Sequence, residues 1–486
     1  MGLFWSGIRN GNAMDHDAFA KQVHEVVYNI YRRIKNGGKP QSHEWTVLAS
    51  ILAEKEGKLE VIALATGTKC VGETQMSEKG LVVNDCHAEV LCRRAFLFFL
   101  MREMAQFRST GKSAYLEETE DSDKLQMKAS IRLHLYVSQT PCGFASEYAK
   151  KDGKREAVER FAVKQRKSKR VRLEAAVEDV GDFCEDHAEE DMHLSGAKFV
   201  DDNVRLSTKP GRGDPSRSYS CSDKICLWSL LGLQGAALSL LLRPVYLASI
   251  VISGEMDEAV ASRALSSRVV IPVMVPSVVQ GVQGVQTVQT AQSSQDLQTT
   301  QTTQSSQDMQ DIQTTQERQI TQERQITQEQ QSSPFTQHHP TIIHDTLPSP
   351  LCEREVMKTL EGKRLAASGA ALVWVKPDVQ EALIARSGVK LGTNVKKGVT
   401  EKSMSVVSPL ALFRQFKALC ALGRSCGVTS DDNYDTVKQR AVEYGRAKER
   451  AMDPALPCSL KAWRRKDRRF YHFQCSVCNK HAIRRS

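Results

Sequence analysis

The chain has 486 residues, 41% of them hydrophobic, which is enough for two or three average domains or one large one with insertions. No apolar run is long enough to span a membrane, since the longest, around Leu230 to Ile252, is broken by Arg243 and Pro244; no secretory signal is read at the N-terminus. The net charge of +10 is uneven: Tyr434 to Ser486 carries fourteen Lys/Arg against five Asp/Glu, which suits a polyanionic partner.

A first helix is expected from Asp17 to Lys35, where Phe19, Val23, Val26, Val27, Ile30, Tyr31 and Ile34 recur at helical spacing. Asp15 or Asp17 caps its start and Gly37-Gly38 ends it. Trp45 to Leu52 reads as a buried segment and Leu59 to Leu64 as a strand, followed by a turn at Thr66-Gly67-Thr68-Lys69. A second helix begins near Asp85, with Val90, Leu91, Phe96, Leu97 and Leu100 on its apolar side. Ile131 to Val137 alternates as a strand and runs into Pro141-Cys142-Gly143. A further helix over Asp223 to Leu242 and an apolar strand over Val245 to Ile252 complete a layered α/β pattern.

Two stretches stand apart from this core. Residues 150–204 mix the basic run Arg166-Lys167-Ser168-Lys169-Arg170 with an acidic one and read as an exposed insertion; the basic run is either a solvated loop or a nuclear localisation signal. Residues 271–335, Gln/Thr/Ser-rich from about Val278 to Gln331, lack the apolar residues needed to offset ordering and read as a disordered linker. The chain therefore divides into an N-terminal part, 1–270, and a C-terminal part, 336–486, expected to build one unit. Thirteen cysteines, an odd number without a regular framework, point to reduced thiols inside a cell, some of them metal-bound. Localisation is expected in the nucleus, the cytoplasm or both.

The sharpest chemical signal is Asp85-Cys86-His87-Ala88-Glu89. A His-x-Glu at a helix entry with a later Pro-Cys fits a zinc deaminase of nucleobases. One imidazole and two thiolates leave a fourth zinc position for water, and the metal brings that water's pKa near neutrality. A carboxylate must then carry a proton to the ring nitrogen and the departing ammonia. Within a helix, His87 and Glu89 would point to nearly opposite sides, so they share a pocket only at its first turn. Cys142 follows in Pro141-Cys142. Position 145, where a second cysteine is usual, is Ala145. Cys221, just before a helix, is the best third ligand; Cys226 reads as a packing residue and Cys184 lies in the acidic insertion.

Five segments together carry a resemblance: Thr66-Gly-Thr-Lys-Cys70, Asn84-Asp-Cys-His-Ala-Glu89, Arg93-Arg94, Ser138-Gln-Thr-Pro-Cys-Gly143 and Ser220-Cys-Ser-Asp-Lys-Ile225. In this order the chain resembles the family of adenosine deaminases acting on RNA. The resemblance implies zinc ligands His87, Cys142 and Cys221, a catalytic Glu89, and a cytidine-deaminase-like three-layer α/β/α core with an additional helical C-terminal part. Gly38-Lys-Pro40, His43-Glu-Trp-Thr46 and Lys209-Pro-Gly-Arg-Gly-Asp214 are similar to the family's tRNA-specific branch, which converts an adenosine beside the anticodon of alanine tRNA to inosine. Duplex RNA or mRNA editing, free-nucleoside deamination and a non-catalytic RNA-binding role are the rivals. The expected partner is tRNA, with neither DNA nor membrane, and the oligomeric state is open.

The resemblance also implies a buried inositol hexakisphosphate. Asn84, Arg93, Arg94, Lys224 and Trp228 would surround it, with Lys396 or Lys397 and with Tyr434, Lys438, Tyr444, Lys448, Trp463 and Lys466. So many cations can be buried together only against a polyanion. Leu227, Gly445 and Phe144 depart from the family pattern, where arginine, glutamine and aspartate are usual. Lys69, Arg212 and Arg217 are candidate RNA contacts. Cys475 and Cys478, with His481, have metal-like spacing, but two thiols at a basic terminus read as incidental.

Overall fold

The computed structural model describes residues 15–35, 37–120, 123–146, 206–210, 214–269, 334–360, 362, 364–423, 427–453, 460, 463 and 467–475. The charged insertion and the Gln-rich run from Val278 to Gln331 lie outside the described residues, as do Arg212, Lys466, Cys478 and His481. The described residues before Val270 and those from Phe335 onward belong to one compact unit.

The first helix, α1, spans His16–Arg33. Asp15 caps it, its carboxylate accepting from the amides of Asp17 (3.1 Å) and Ala18 (3.3 Å). Phe19, Val23, Val27 and Tyr31 form its buried stripe. Ile34 already has extended backbone, so the helix stops short of Gly37-Gly38. The strands follow as β1 (Glu44–Trp45), β2 (Leu48–Lys55), β3 (Lys58–Thr66), β4 (Thr68–Cys70) and β5 (Asp85–His87). Helix α2 (Ala88–Thr110) then begins three residues later than its sequence signal, because Asp85–His87 is strand. Next come β6 (Leu116–Glu118), β7 (Leu125–Met127) and β8 (Ile131–Val137).

The run from Asp223 to Leu242 is not one helix. Helix α3 (Cys221–Leu231) ends at Gly232, whose φ of 74° suits glycine, and a single turn at Gly235–Leu238 follows. Of the apolar run from Val245 to Ile252, only the end lies in β9 (Ser249–Ser253). The C-terminal part supplies strands as well as helices: β10 (Thr341–Asp345), β11 (Ala366–Ala367), β12 (Ala370–Val375), β13 (Val379–Ile384) and β14 (Val389–Lys390). These precede helices α4 (Pro409–Ala421), α5 (Tyr434–Arg440) and α6 (Val442–Ala451).

Eight strands join in the order β10-β9-β8-β2-β3-β12-β13-β14. β10, β9 and β8 are parallel and the remaining pairs antiparallel. Alternation along the strands sorts the core to two faces. Leu372 and Trp374 pack with Leu48, Leu52, Leu64 and the stripe of α1. Ala371, Val373 and Val375 pack with Ala63, Ala65 and α2 on the other face. Each fully buried leucine contributes roughly 1.5–3 kcal/mol. The result is a mixed sheet with helices on both faces, into which the C-terminal part inserts four strands. Among the described residues no helix is long and apolar enough to cross a membrane.

Candidate active site and a neighbouring cationic cavity

His87 ends β5 and occupies the N-cap position of α2 with extended backbone (φ −67°, ψ 143°). Glu89 lies in the helix's first turn. The strand-to-helix change therefore removes the obstacle of two-residue spacing, and the Glu89 carboxyl feels the charges of Cys142, His87 and Lys209. Gly67 makes this junction possible: at φ 150°, it sits where a Cβ would overlap the Cys86 carbonyl oxygen. β4 then pairs with β5, setting Thr68 opposite His87.

Cys142 follows the end of β8, in a loop tied to α3 through the Ser222 amide, which donates to the Cys142 carbonyl (3.0 Å). Cys221 is the first residue of α3, whose cap Ser220 accepts from the Asp223 amide. His87 Nδ1 lies 3.7 Å from the Sγ of Cys142 and 3.7 Å from that of Cys221. All three ligand atoms fall within 4.8 Å of one another. Bond lengths of about 2.0 Å to nitrogen and 2.3 Å to sulfur give a tetrahedral N···S edge of about 3.5 Å, so the donor set fits zinc. Hydrogen bonding from Cys221, then the charges of Lys209 and His87, pull the Cys142 thiol well below its usual range against the opposing effect of burial. Burial first, and Cys142 second, push Glu89 up; its Oε2 is buried without a hydrogen-bond partner.

Two residues in this network went unrecognised in the sequence. Lys209, 3% exposed, donates to Asp85 Oδ2 (2.7 Å) and reaches Cys221 Sγ (3.3 Å). Asp85 also receives Lys224. Burial alone would raise Asp85, but Lys209 and Lys224 hold it far below the carboxylate range. By sequence Asp85 reads only as a helix-entry residue and Lys209 only as part of a loop motif; no spacing rule signals that the lysine turns inward.

Beyond Lys224 opens a cavity of about 830 Å³. Asn84, Arg94, Lys224, Tyr434, Lys438, Tyr444, Lys448 and Trp463 line it, as do Arg217, Arg446 and Arg468. Seven cationic side chains face three acidic ones, Asp85, Asp435 and Glu449. Arg93 lies behind, its guanidinium 5.2 Å from the Trp228 ring. The Nε of Arg93 and an Nη of Arg94 are buried without partners, and burial pushes Arg94 down to about 10. Buried guanidinium nitrogens without partners among the described residues, together with surplus positive charge, fit a polyanion. Lys396 and Lys397 are not among the lining residues; they stand exposed in a single 3-10 turn, and it is Pro409 that lines the cavity from this part of the chain. Gly445 lines the cavity and Leu227 is buried beside it in α3. Phe144 is buried with the guanidinium groups of Arg263 (5.6 Å) and Arg268 (5.8 Å) over its ring.

Of the candidate RNA contacts, Lys69 is half-buried in β4, opposite Cys86. Arg217 binds Glu73 (2.6 Å) and faces the cavity. Its loop is pinned by Asp214, which accepts from the Thr74 hydroxyl (2.7 Å). Cys475 is buried in the apolar core.

A family profile described as an adenosine-deaminase (editase) domain matches residues 63–315 and 303–467. The tRNA-specific adenosine deaminase 1 of Drosophila melanogaster is 33% identical over 242 residues, 47% of this chain and 54% of that protein. Its counterpart in Schizosaccharomyces pombe is 30% identical over 238 residues, 47% of this chain and 55% of that protein. The double-stranded RNA-specific adenosine deaminase of Rattus norvegicus is 32% identical over 260 residues, 52% of this chain but 21% of that protein. The chain thus spans about half the length of the tRNA-specific relatives and less of the duplex-specific one. With the profile covering most of the sequence and the His/Cys/Cys cluster inside it, the chain belongs to the adenosine-deaminase (editase) domain family.

Proposed function

We propose that this protein hydrolyses adenosine to inosine in tRNA, at an adenosine beside the anticodon of alanine tRNA, releasing ammonia. The observation that carries the reading is the convergence of His87, Cys142 and Cys221, with the buried carboxyl of Glu89 in the first turn after His87, one of its oxygens without a hydrogen-bond partner among the described residues. His87, Cys142 and Cys221 would hold zinc, which supplies an acidified water and a Lewis-acidic centre when bound. Glu89 carries the attacking water's first proton to the purine ring nitrogen and then its second, from the hydroxyl left on C6, to the departing amine, which leaves as ammonia. Burial keeps its proton affinity high enough for both halves of that task. Lys209 holds Cys221 and Asp85 in place, and Asp85 in turn holds Lys224 at the cavity.

The tRNA branch is favoured over duplex editing by the Lys209-Pro-Gly-Arg-Gly-Asp214 loop and by two tRNA-specific relatives. A loop substrate also lets the target base leave its stack at small cost. The cavity takes inositol hexakisphosphate in this reading, with Arg93, Arg94, Lys224, Lys438 and Lys448 neutralising phosphates. Lys448→Ala with Trp463→Ala should then lower folding yield; normal yield would make the cavity dispensable for folding. The deaminase core is cytidine-deaminase-like, and the protein works in the nucleus, the cytoplasm or both.

The test is inosine released from purified alanine tRNA, a long RNA duplex and free adenosine, with Glu89→Gln as control. Inosine beside the anticodon only with intact Glu89 supports the reading. Inosine in the duplex alone would move the protein to the editors, and none in any substrate from a folded, zinc-loaded chain would end the catalytic reading.

A further inference from the structure

The exposed lysines displaced from the cavity define a surface of their own. Between Arg386 and Lys402 the chain carries five cations, Arg386, Lys390, Lys396, Lys397 and Lys402, against one acid, Glu401. Glu401 is committed to Arg414 (2.6 Å), and Lys390 lies 3.2 Å from Glu381. Arg386, Lys396, Lys397 and Lys402 are exposed and make no ion pair among the described residues. Leu391 and Val395, 50% and 37% exposed, stand between them. Nothing in the fold of the described residues requires four uncompensated cations with two bare apolar side chains in one loop.

The loop is fixed to the segment that joins the two sides of the candidate site. Val389 packs with Val71 and Val82, and Val399 covers them. The Val83 amide donates to the Gly388 carbonyl (2.9 Å), and a Cβ on Gly388 would overlap Val83. Val71 directly follows β4, which carries Lys69, and Val83 leads through Asn84 into β5, which carries His87. On its other side, the Leu391 amide donates to the Ala382 carbonyl (2.8 Å), the residue on which the Gly38 turn is seated. The loop is therefore backed by the segment that connects β4 to β5, the strand that ends at His87.

We infer that residues 386–402 form a second RNA-binding surface, which grips the phosphate backbone of the substrate away from the target nucleotide. This rests on the RNA-deaminase reading above. Lysines contact phosphates as point charges and release counterions, so the surface adds affinity and salt dependence without reading bases. Leu391 and Val395 would cover sugar or base faces that the backbone exposes there. The chemical step, held by Glu89 and the metal ligands, does not involve it.

The experiment measures binding of alanine tRNA to the Glu89→Gln protein across a salt series, with and without Lys396→Gln/Lys397→Gln. Lys21→Gln, on α1 and paired with Asp17, serves as control. The double substitution should raise Kd roughly five- to ten-fold and flatten the slope of log K against log salt by roughly 1.4–1.8. In the Glu89-intact protein it should raise KM and leave kcat unchanged, and Lys396→Arg/Lys397→Arg should restore binding. A Kd within two-fold of the parent and an unaltered slope would overturn the inference while the deaminase reading stands. A parent protein that neither binds nor deaminates RNA would overturn both.

Discussion

Replacing Arg268 by methionine tests how Cys221, the third proposed metal ligand, is held. Arg268 and Asp223 are both fully buried, with Nη2 2.7 Å from Oδ1. Asp223 also accepts from the Ser207 amide (3.0 Å) and the Ser220 hydroxyl (2.7 Å), and its own amide donates to Ser220 Oγ. This carboxylate thus ties together the loop before α3 and the cap that precedes Cys221. Removing one partner of a buried pair costs about 3–5 kcal/mol, because a charge remains in a medium that cannot solvate it. The two remaining donors to Asp223 put the expected loss near the lower end, at about 3 kcal/mol. Asp223→Asn with Arg268→Met removes the stranded charge while the amide oxygen still accepts, so the double variant should recover at least about 1 kcal/mol. Urea unfolding followed by tryptophan fluorescence reads both, and zinc retained after a chelator challenge reports Cys221. Under about 1 kcal/mol for Arg268→Met, or strict additivity in the double variant, would refute the argument that this pair braces the site.

Lys209→Met should lower stability by about 3 kcal/mol or more and speed metal loss to a chelator, because it leaves Asp85 with Lys224 alone and Cys221 without its cation; unaltered metal retention would remove Lys209 from the site's scaffold. Gly67→Ala should abolish inosine formation, since its Cβ collides with the Cys86 carbonyl at a φ of 150°; a fully active variant would mean β4 can shift without moving His87. His134 is buried between Glu54 (2.9 Å) and Ser249 (2.8 Å), and burial lowers its pKa. The unfolded chain therefore binds this proton first, so stability is retained above about pH 6.5 and falls by up to about 1.4 kcal/mol per unit as pH drops below it. His134→Gln should flatten that slope in urea titrations from pH 7.5 to 5.5, and an unchanged slope would assign it to other groups.

Elements with a single strong period were legible from the residues alone. α1 and β8 lie within two residues of their sequence bounds, because a stripe at helical spacing or an alternating run has one solution when one face is buried. Apolar runs buried on all sides were less legible. Val245 is as buried as the strand that follows, yet its amide is taken by the Gln234 side chain (2.9 Å) and its carbonyl by the Leu233 amide (2.8 Å), so it joins no ladder. Hydrophobicity records burial there and not the hydrogen-bond partner. The C-terminal strands were missed for a related reason: β12 lies in the middle of the sheet between β3 and β13, a position set by topology.

The same distinction governs the site. The candidate chemical residues His87, Glu89, Cys142 and Cys221 sit in short local motifs that a sequence shows, and the structure brings His87, Cys142 and Cys221 together in a cluster that could hold a metal ion. Residues that hold those groups act across long sequence separations. Lys209 reaches Asp85 over 124 positions, and Lys224 reaches it over 139. A lysine's sequence context does not say whether it faces water or a buried carboxylate, and the choice follows from which charges the fold has already enclosed. Arg94 on α2 and Lys438 and Lys448 from the C-terminal helices are far apart in the chain, yet line one cavity. Lys396 and Lys397 are equally basic by sequence but stand exposed in the 3-10 turn that follows β14. Enclosure separates the two groups physically: buried, unpartnered guanidinium nitrogens such as those of Arg93 and Arg94 favour a fixed polyanion, whereas exposed lysines remain free to exchange counterions with a transient one. The cavity and the loop should therefore differ in kind when neutralised, the first losing folded protein and the second losing RNA affinity alone.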